Sequence, residues 1–179
     1  MALAQPGFAM NPFVESKIKI GFIGVGLRGC NHLSNTLLRS DCEVRAICDV
    51  DPARIALAKE MIEEKQKSKV EYFAGDKLDY LNLLSLKELD AVIISTPWLW
   101  HTKMAVDAMK AGVYVGLEVS AANTLEECWD LVDTHVETGT HLMLLENVNF
   151  RRDVMAVTNM VKQEVFGELV HFRCGYQHD

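Results

Sequence analysis

The chain has no apolar run long enough to cross a membrane. It also has no charged segment leading into an apolar core at its start, so no intact signal peptide is visible. Ala2-Leu3-Ala4 before Gln5 resembles the small-residue remnant of an export cleavage site, and both a cytoplasmic and an exported protein fit the sequence. The five cysteines, Cys30, Cys42, Cys48, Cys128 and Cys174, are odd in number and contain no C-x-x-C pair. That argues against a disulfide framework and against a thiolate metal site; small buried or half-buried thiols are expected instead. Basic residues are not in excess: 18 Lys and Arg stand against 25 Asp and Glu, for a net charge of -7. The cations are scattered, so there is no stripe to neutralise phosphates and nucleic acid is not the expected partner.

What is there is an ordinary globular composition, 49% hydrophobic and 24% charged over 179 residues. That length suits one full domain and the start of another. Residues 1–16 show no period and read as a leader. From Lys17 the pattern alternates and then becomes continuously apolar to Val25, as a buried parallel strand does. Helical spacing follows over 28–40, a second strand over 43–50, and a helix from Asp51-Pro52 to about Gln66, with Asp as N-cap and Pro at the first position. Short strands are predicted at 70–73, 90–95, 113–117 and 141–145, with helices at 80–84, 102–111 and 124–138. Gly112 and Gly139 close two of these helices, and Thr124-Leu-Glu-Glu127 opens one as a capping box. Six alternations of strand and helix predict an α/β, Rossmann-type doubly wound parallel sheet over 17–150. A last helix over 153–164 and an extended run from Leu169 to Tyr176 predict, over 151–179, a linking helix and the first strand of a second, truncated α/β domain.

Gly24-Val25-Gly26-Leu27-Arg28-Gly29 reads G-x-G-x-x-G, placed after a strand and opening a helix. Gly24 permits the tight turn, Gly26 lets backbone approach a pyrophosphate, and Gly29 lets the helix pack on the strand. The helix N-terminus then holds the phosphates. Asp49 ends the second strand, where a carboxylate accepts from the adenosine ribose and repels a 2′-phosphate; NAD(H) is expected over NADP(H). Without a ligand the same features make a plain strand–helix turn and a solvated strand end.

Ligands in such sheets sit at the carboxyl ends of the strands. Three later turns should therefore converge there: Ser95 to His101, Glu118 to Ala122, and Glu146 to Arg152. Trp98 and Trp100 are either core aromatics or walls of the nicotinamide pocket. His101 suits a helix cap, a ribose contact or a catalyst, while His32, His135, His141 and His171 read as surface or core residues.

Ser95-Thr96-Pro97, with His101 after it and an acidic turn at Glu118, resembles the Gfo/Idh/MocA oxidoreductases. Most of that group carries Glu-Lys-Pro in the acidic turn, with the Lys taking part in catalysis; here it is Glu118-Val119-Ser120. Glu-Val in this place, the G-x-G-L-R-G turn, Thr124–Trp129, Leu144–Asn147 and Gly175–Asp179 together resemble glycoside hydrolase family 109, the NAD-dependent α-N-acetylgalactosaminidases, from Ile18 to Asp179. The resemblance implies NAD contacts at Leu27, Arg28, Asp49, Trp98, Leu99, Trp100, His101, Glu118, Val119 and Asn147. It implies a substrate contact at Tyr176, with Tyr176 and His178 the candidates near the acid–base steps; on a strand, Tyr176 is otherwise a packed aromatic. No metal is implied. The implied route is oxidation at C3, loss of the acidified C2 proton, elimination at C1, water addition and return of the hydride, an exception to two-carboxylate glycosidases. The implied partner is a small-molecule glycoside, not nucleic acid or a membrane, and homo-oligomerisation of the full-length protein stays open. An NAD-dependent sugar oxidoreductase and a non-catalytic NAD-binding fragment are the competing readings.

Overall fold

In the computed structural model the described residues are 17–175. Two compact units make up the chain, one ending at Leu145 and the other starting at Glu146. In the first unit the strands are β1 (Ile18–Ile23), β2 (Cys42–Asp49), β3 (Glu71–Ala74), β4 (Ala91–Ile94), β5 (Tyr114–Leu117) and β6 (Leu142–Leu144). They form one parallel sheet in the order β3-β2-β1-β4-β5-β6. Between them run α1 (Leu27–Leu37), α2 (Pro52–Glu63), α3 (Tyr80–Leu84), α4 (His101–Lys110) and α5 (Leu125–Thr138). The order reverses between β1 and β4, the switch point where doubly wound sheets open a crevice.

Side chains alternate across the sheet, so successive residues of a buried strand feed two cores. Phe22 joins Leu33 of α1 and Ala58 and Ile62 of α2 on one face. Ile23, next in sequence, joins Tyr80, Met104, Ala108 and Leu131 on the other. A register shift between Ile20 and Gly21 opposite β2 inserts one extra residue there. As a result Val44 and Ala46, two apart, pack on opposite faces.

The helix ends form where the sequence signals them. Asp51 accepts from the Ala53 amide at 2.8 Å, ahead of Pro52. Thr124 accepts from Glu127, whose carboxylate in turn takes the Asn123 amide. Gly112 and Gly139 take positive φ, 76° and 67°.

The second unit, described by itself, holds a 3-10 turn at Val148–Phe150 and α6 (Arg152–Lys162). Residues 169–175, where the sequence predicts an extended run, belong to no strand among the described residues. A strand needs a ladder partner for its N–H and C=O groups, and among the described residues no strand pairs with this run. All five cysteines are free, but Cys128 and Cys174 are exposed and not half-buried as expected. α5 buries only Leu131 and Thr134, which leaves Cys128, one turn earlier, outside the core.

The glycine turn is sterically exacting. Gly24 has φ +86°, and a Cβ there would lie 2.8 Å from the Ser95 carbonyl oxygen. A Cβ on Gly29 would overlap the Gly24 carbonyl oxygen, whereas one on Gly26 would meet nothing within 4 Å. Gly29→Ala should therefore cost about 1–3 kcal/mol of stability. Gly26→Ala should stay within about 0.5 kcal/mol of the parent chain. Urea unfolding of the two variants measures the difference, and equal midpoints would show that α1 does not rest on the Gly24 carbonyl.

Candidate functional site

A cavity of about 620 Å³ opens at the carboxyl ends of β1, β2 and β4. Its size is that of an ordinary small-molecule site. Gly24 and Gly26 form one side, Asp49 and Asp51 the next, and Ser95, Thr96 and Trp100 the side toward β4. Arg54 from the first turn of α2 and Lys77 from the loop after β3 bring positive charge to it. Tyr80 lies at its wall, donating to Asp107 at 2.6 Å. Burial and that hydrogen bond push its phenol up to about 12, so it stays neutral. Cys48, also in the wall, is pushed up to about 12 by burial and stays a thiol.

Asp49 sits where the sequence places it, at the end of β2. Its Oδ2 accepts the Val25 amide at 2.8 Å and its Oδ1 the Asp51 amide at 2.9 Å. Each oxygen keeps a second lone pair for a ribose hydroxyl. Ser95 Oγ is buried with no hydrogen-bond partner among the described residues. An orphan hydroxyl, an open backbone at Gly26 and a carboxylate at the β2 end suit a ligand that carries a pyrophosphate and a ribose.

The other predicted residues are placed differently. Leu27 and Leu99 are exposed, as is Trp98 on the 3-10 turn Trp98–Trp100. Asn123 Nδ2 donates to the Trp98 carbonyl at 3.1 Å and braces that turn. His101 is 1% exposed, with Nδ1 2.7 Å from the Ser120 carbonyl and Nε2 2.8 Å from that of Thr96. A neutral imidazole donates from one nitrogen only, so the ring serves one carbonyl at a time and an imidazolium serves both. Either way His101 links the turns after β4 and β5. Asn147 lies in the second unit, at the start of its 3-10 turn, where its backbone carbonyl accepts from the Phe150 amide. Tyr176 and His178 lie outside the described residues.

Glu118, directly after β5, is buried, while Val119 beside it is 41% exposed. Glu118 Oε1 takes the Arg28 Nε–H at 2.6 Å and lies 2.6 Å from His32 Nε2. Its Oε2 takes the Val119 amide at 3.2 Å. The structure thus brings Arg28 and Glu118 together, outside the residues that line the cavity. Sequence reasoning missed Arg54 and His32. The available signals were the Asp51-Pro52-Ala53-Arg54 helix start beside Asp49, and the Arg28/His32 pair one helical turn apart.

Burial pushes the Glu118 carboxyl up, but the hydrogen bonds from His32 and Arg28 outweigh it and hold the group below its ordinary 4.5. A depressed carboxyl stabilises the fold above its unfolded value, and that contribution is lost as pH falls through the folded value. Glu118→Gln should therefore be less stable than the parent chain at pH 7, with the gap narrowed at a pH below the ordinary 4.5. Urea midpoints at the two pH values measure this, and a gap independent of pH would contradict it.

The Gfo/Idh/MocA model, described as oxidoreductase family, NAD-binding Rossmann fold, matches residues 18–145. The model of the glycosyl hydrolase 109 C-terminal domain matches residues 150–179. A glycosyl hydrolase family 109 protein of Parabacteroides distasonis is 48% identical over 166 residues, 92% of this chain and 36% of that protein. An α-N-acetylgalactosaminidase of Tannerella forsythia is 46% identical over the same length, again covering 92% and 36%. The chain thus spans about a third of the length of these curated relatives. In fold it is similar to scyllo-inositol dehydrogenase from Lactobacillus casei, with TM-score 0.75 and 22% identity over 86% of this chain and 44% of that one. It is similar too to the WlbA dehydrogenase of Bordetella pertussis, solved with NADH and UDP-GlcNAcA, with TM-score 0.72 and 22% identity over 84% and 43%. The chain belongs to the Gfo/Idh/MocA oxidoreductase family through its NAD-binding Rossmann domain, and its residues 150–179 match the glycosyl hydrolase 109 C-terminal domain.

Proposed function

We propose that the first unit binds NAD(H) and serves as the cofactor domain of an enzyme that hydrolyses α-N-acetylgalactosaminides. The observation that carries the cofactor reading is the Asp49 carboxylate beside the open Gly26 backbone and the orphan Ser95 hydroxyl. Gly26 and the first amides of α1 would hold the pyrophosphate, and Asp49 the adenosine ribose. Glu118, with Val119 and Trp98 to His101, would serve the nicotinamide half, Glu118 orienting its ribose. Asn147 and residues 151–179, as a linking segment into a substrate domain, complete the reading, with Tyr176 and His178 as the acid–base candidates.

Hydrolysis is favoured over net oxidation by Val119, where most of the oxidoreductase group carries a catalytic Lys. The relative from Tannerella forsythia is itself named an α-N-acetylgalactosaminidase. Bound NAD+ would supply a hydride acceptor that returns its hydride within each turnover, so the redox change sums to zero. The chain's own residues then have to bind, orient and retain it. Two carboxylates flanking the glycosidic bond are not required by this route.

Calorimetric titration of this chain with NAD+ tests the cofactor reading. Gly26→Ala should lose binding at least tenfold while keeping its fold, an effect on the order of 1.4 kcal/mol. Asp49→Ala should narrow the preference for NAD+ over NADP+, because the carboxylate no longer repels a 2′-phosphate. No binding at millimolar NAD+ would sink the reading. For the full-length protein, nitrophenol release from p-nitrophenyl α-N-acetylgalactosaminide with catalytic NAD+ is expected; NADH accumulating in step with free sugar would instead mean an oxidoreductase.

A further inference from the structure

We propose that His32 is a positioning residue for Glu118, holding its carboxylate in place for the nicotinamide ribose; this rests on the reading of Glu118 given above. Arg28 and His32 lie one turn apart on α1, on the face that meets the end of β5. Both approach the same carboxylate oxygen, Oε1, at 2.6 Å. Among the described residues Oε2 receives only the Val119 amide of its own turn, at 3.2 Å. One oxygen is thus anchored to α1, and the other keeps its charge and a free lone pair for a sugar hydroxyl.

The two anchors differ in exposure. The Arg28 side chain is 42% exposed, that of His32 19% and that of Glu118 8%. A hydrogen bond shielded from water holds better than one that solvent can replace. Arg28 is also the anchor that a bound phosphate could draw away, because it is the second residue of α1 and its side chain is the more exposed of the two. When Arg28 turns to a phosphate, His32 remains as the donor that keeps Glu118 in place. The anchored carboxylate requires Nε2 to carry a proton; Gln places an amide N–H at about the position of Nε2, whereas the shorter Asn does not reach it.

The test is calorimetry on the whole chain with NAD+ and with ADP, which lacks the nicotinamide half. The variants are His32→Ala, His32→Gln, His32→Asn, Glu118→Ala and the double alanine variant, with a thermal midpoint for each. His32→Ala should weaken NAD+ about tenfold, the loss of one charge-assisted hydrogen bond, and leave ADP within about twofold. His32→Gln should recover most of the NAD+ affinity and His32→Asn should not, a comparison that decides the matter even if the alanine variant does not fold. In the Glu118→Ala background His32→Ala should add little. Equal losses for NAD+ and ADP, unchanged NAD+ binding, or Gln no better than Asn each overturn the proposal. If Glu118→Ala weakens NAD+ and His32→Ala does not, the proposal falls and the role of Glu118 stands. If the wild-type chain does not bind NAD+, or Glu118→Ala binds it as tightly as wild type, the underlying reading falls and takes the proposal with it.

Discussion

The site depends on one steric constraint: α1 begins in contact with the turn that ends β1. The space a Cβ on Gly29 would need is taken by the Gly24 carbonyl, and Gly24 sits at φ +86° against the Ser95 carbonyl. A side chain at either position pushes helix and strand apart. With both absent, Gly26 at the start of α1 lines the crevice at the switch point between β1 and β4. The same closeness brings Arg28 and His32 to the end of β5 and the Val25 amide to Asp49. Carboxylates from two different strand ends thereby tie down the same short stretch of chain.

These carboxylates brace the fold without using up their acceptor capacity. Asp49 and Glu118 brace backbone and helix, and both retain lone pairs for a ligand. Such bracing favours precision: a group that must orient a sugar is held by several donors before the sugar arrives. His101 extends the arrangement, because its buried ring joins the turn after β4 to the turn after β5. Asn123, at the start of α5, holds the Trp98 carbonyl in the same region. The strand ends are therefore coupled to one another by side chains, as well as by the ladder of the sheet.

Fold and chemistry separate among the proteins this chain resembles. Dehydrogenases at 22% identity share the sheet and its order, while the relatives at 46–48% identity carry glycosyl hydrolase names. A shared Rossmann sheet fixes where a dinucleotide lies; the side chains at the strand ends decide what is done with it. Val119 stands at one such strand end, two residues after β5. The chain spans about a third of the length of its curated relatives.

The succession of six strands in a parallel, doubly wound sheet, the helix caps at Asp51 and Thr124, and the glycine turn were legible in the sequence. Each depends on local periodicity or on the freedom of a single backbone position. The extended run after Leu169 was not resolved by the same means, because a strand exists only with a partner and the pattern of one segment does not supply it. Nor could the sequence say that His32 would meet Glu118, 86 residues away, or that His101 would turn both nitrogens onto backbone. The sequence by itself determined which residues stand at the strand ends. Only the tertiary structure decided which of them touch, because contacts across a sheet and onto a helix are set by packing geometry that local patterns do not encode.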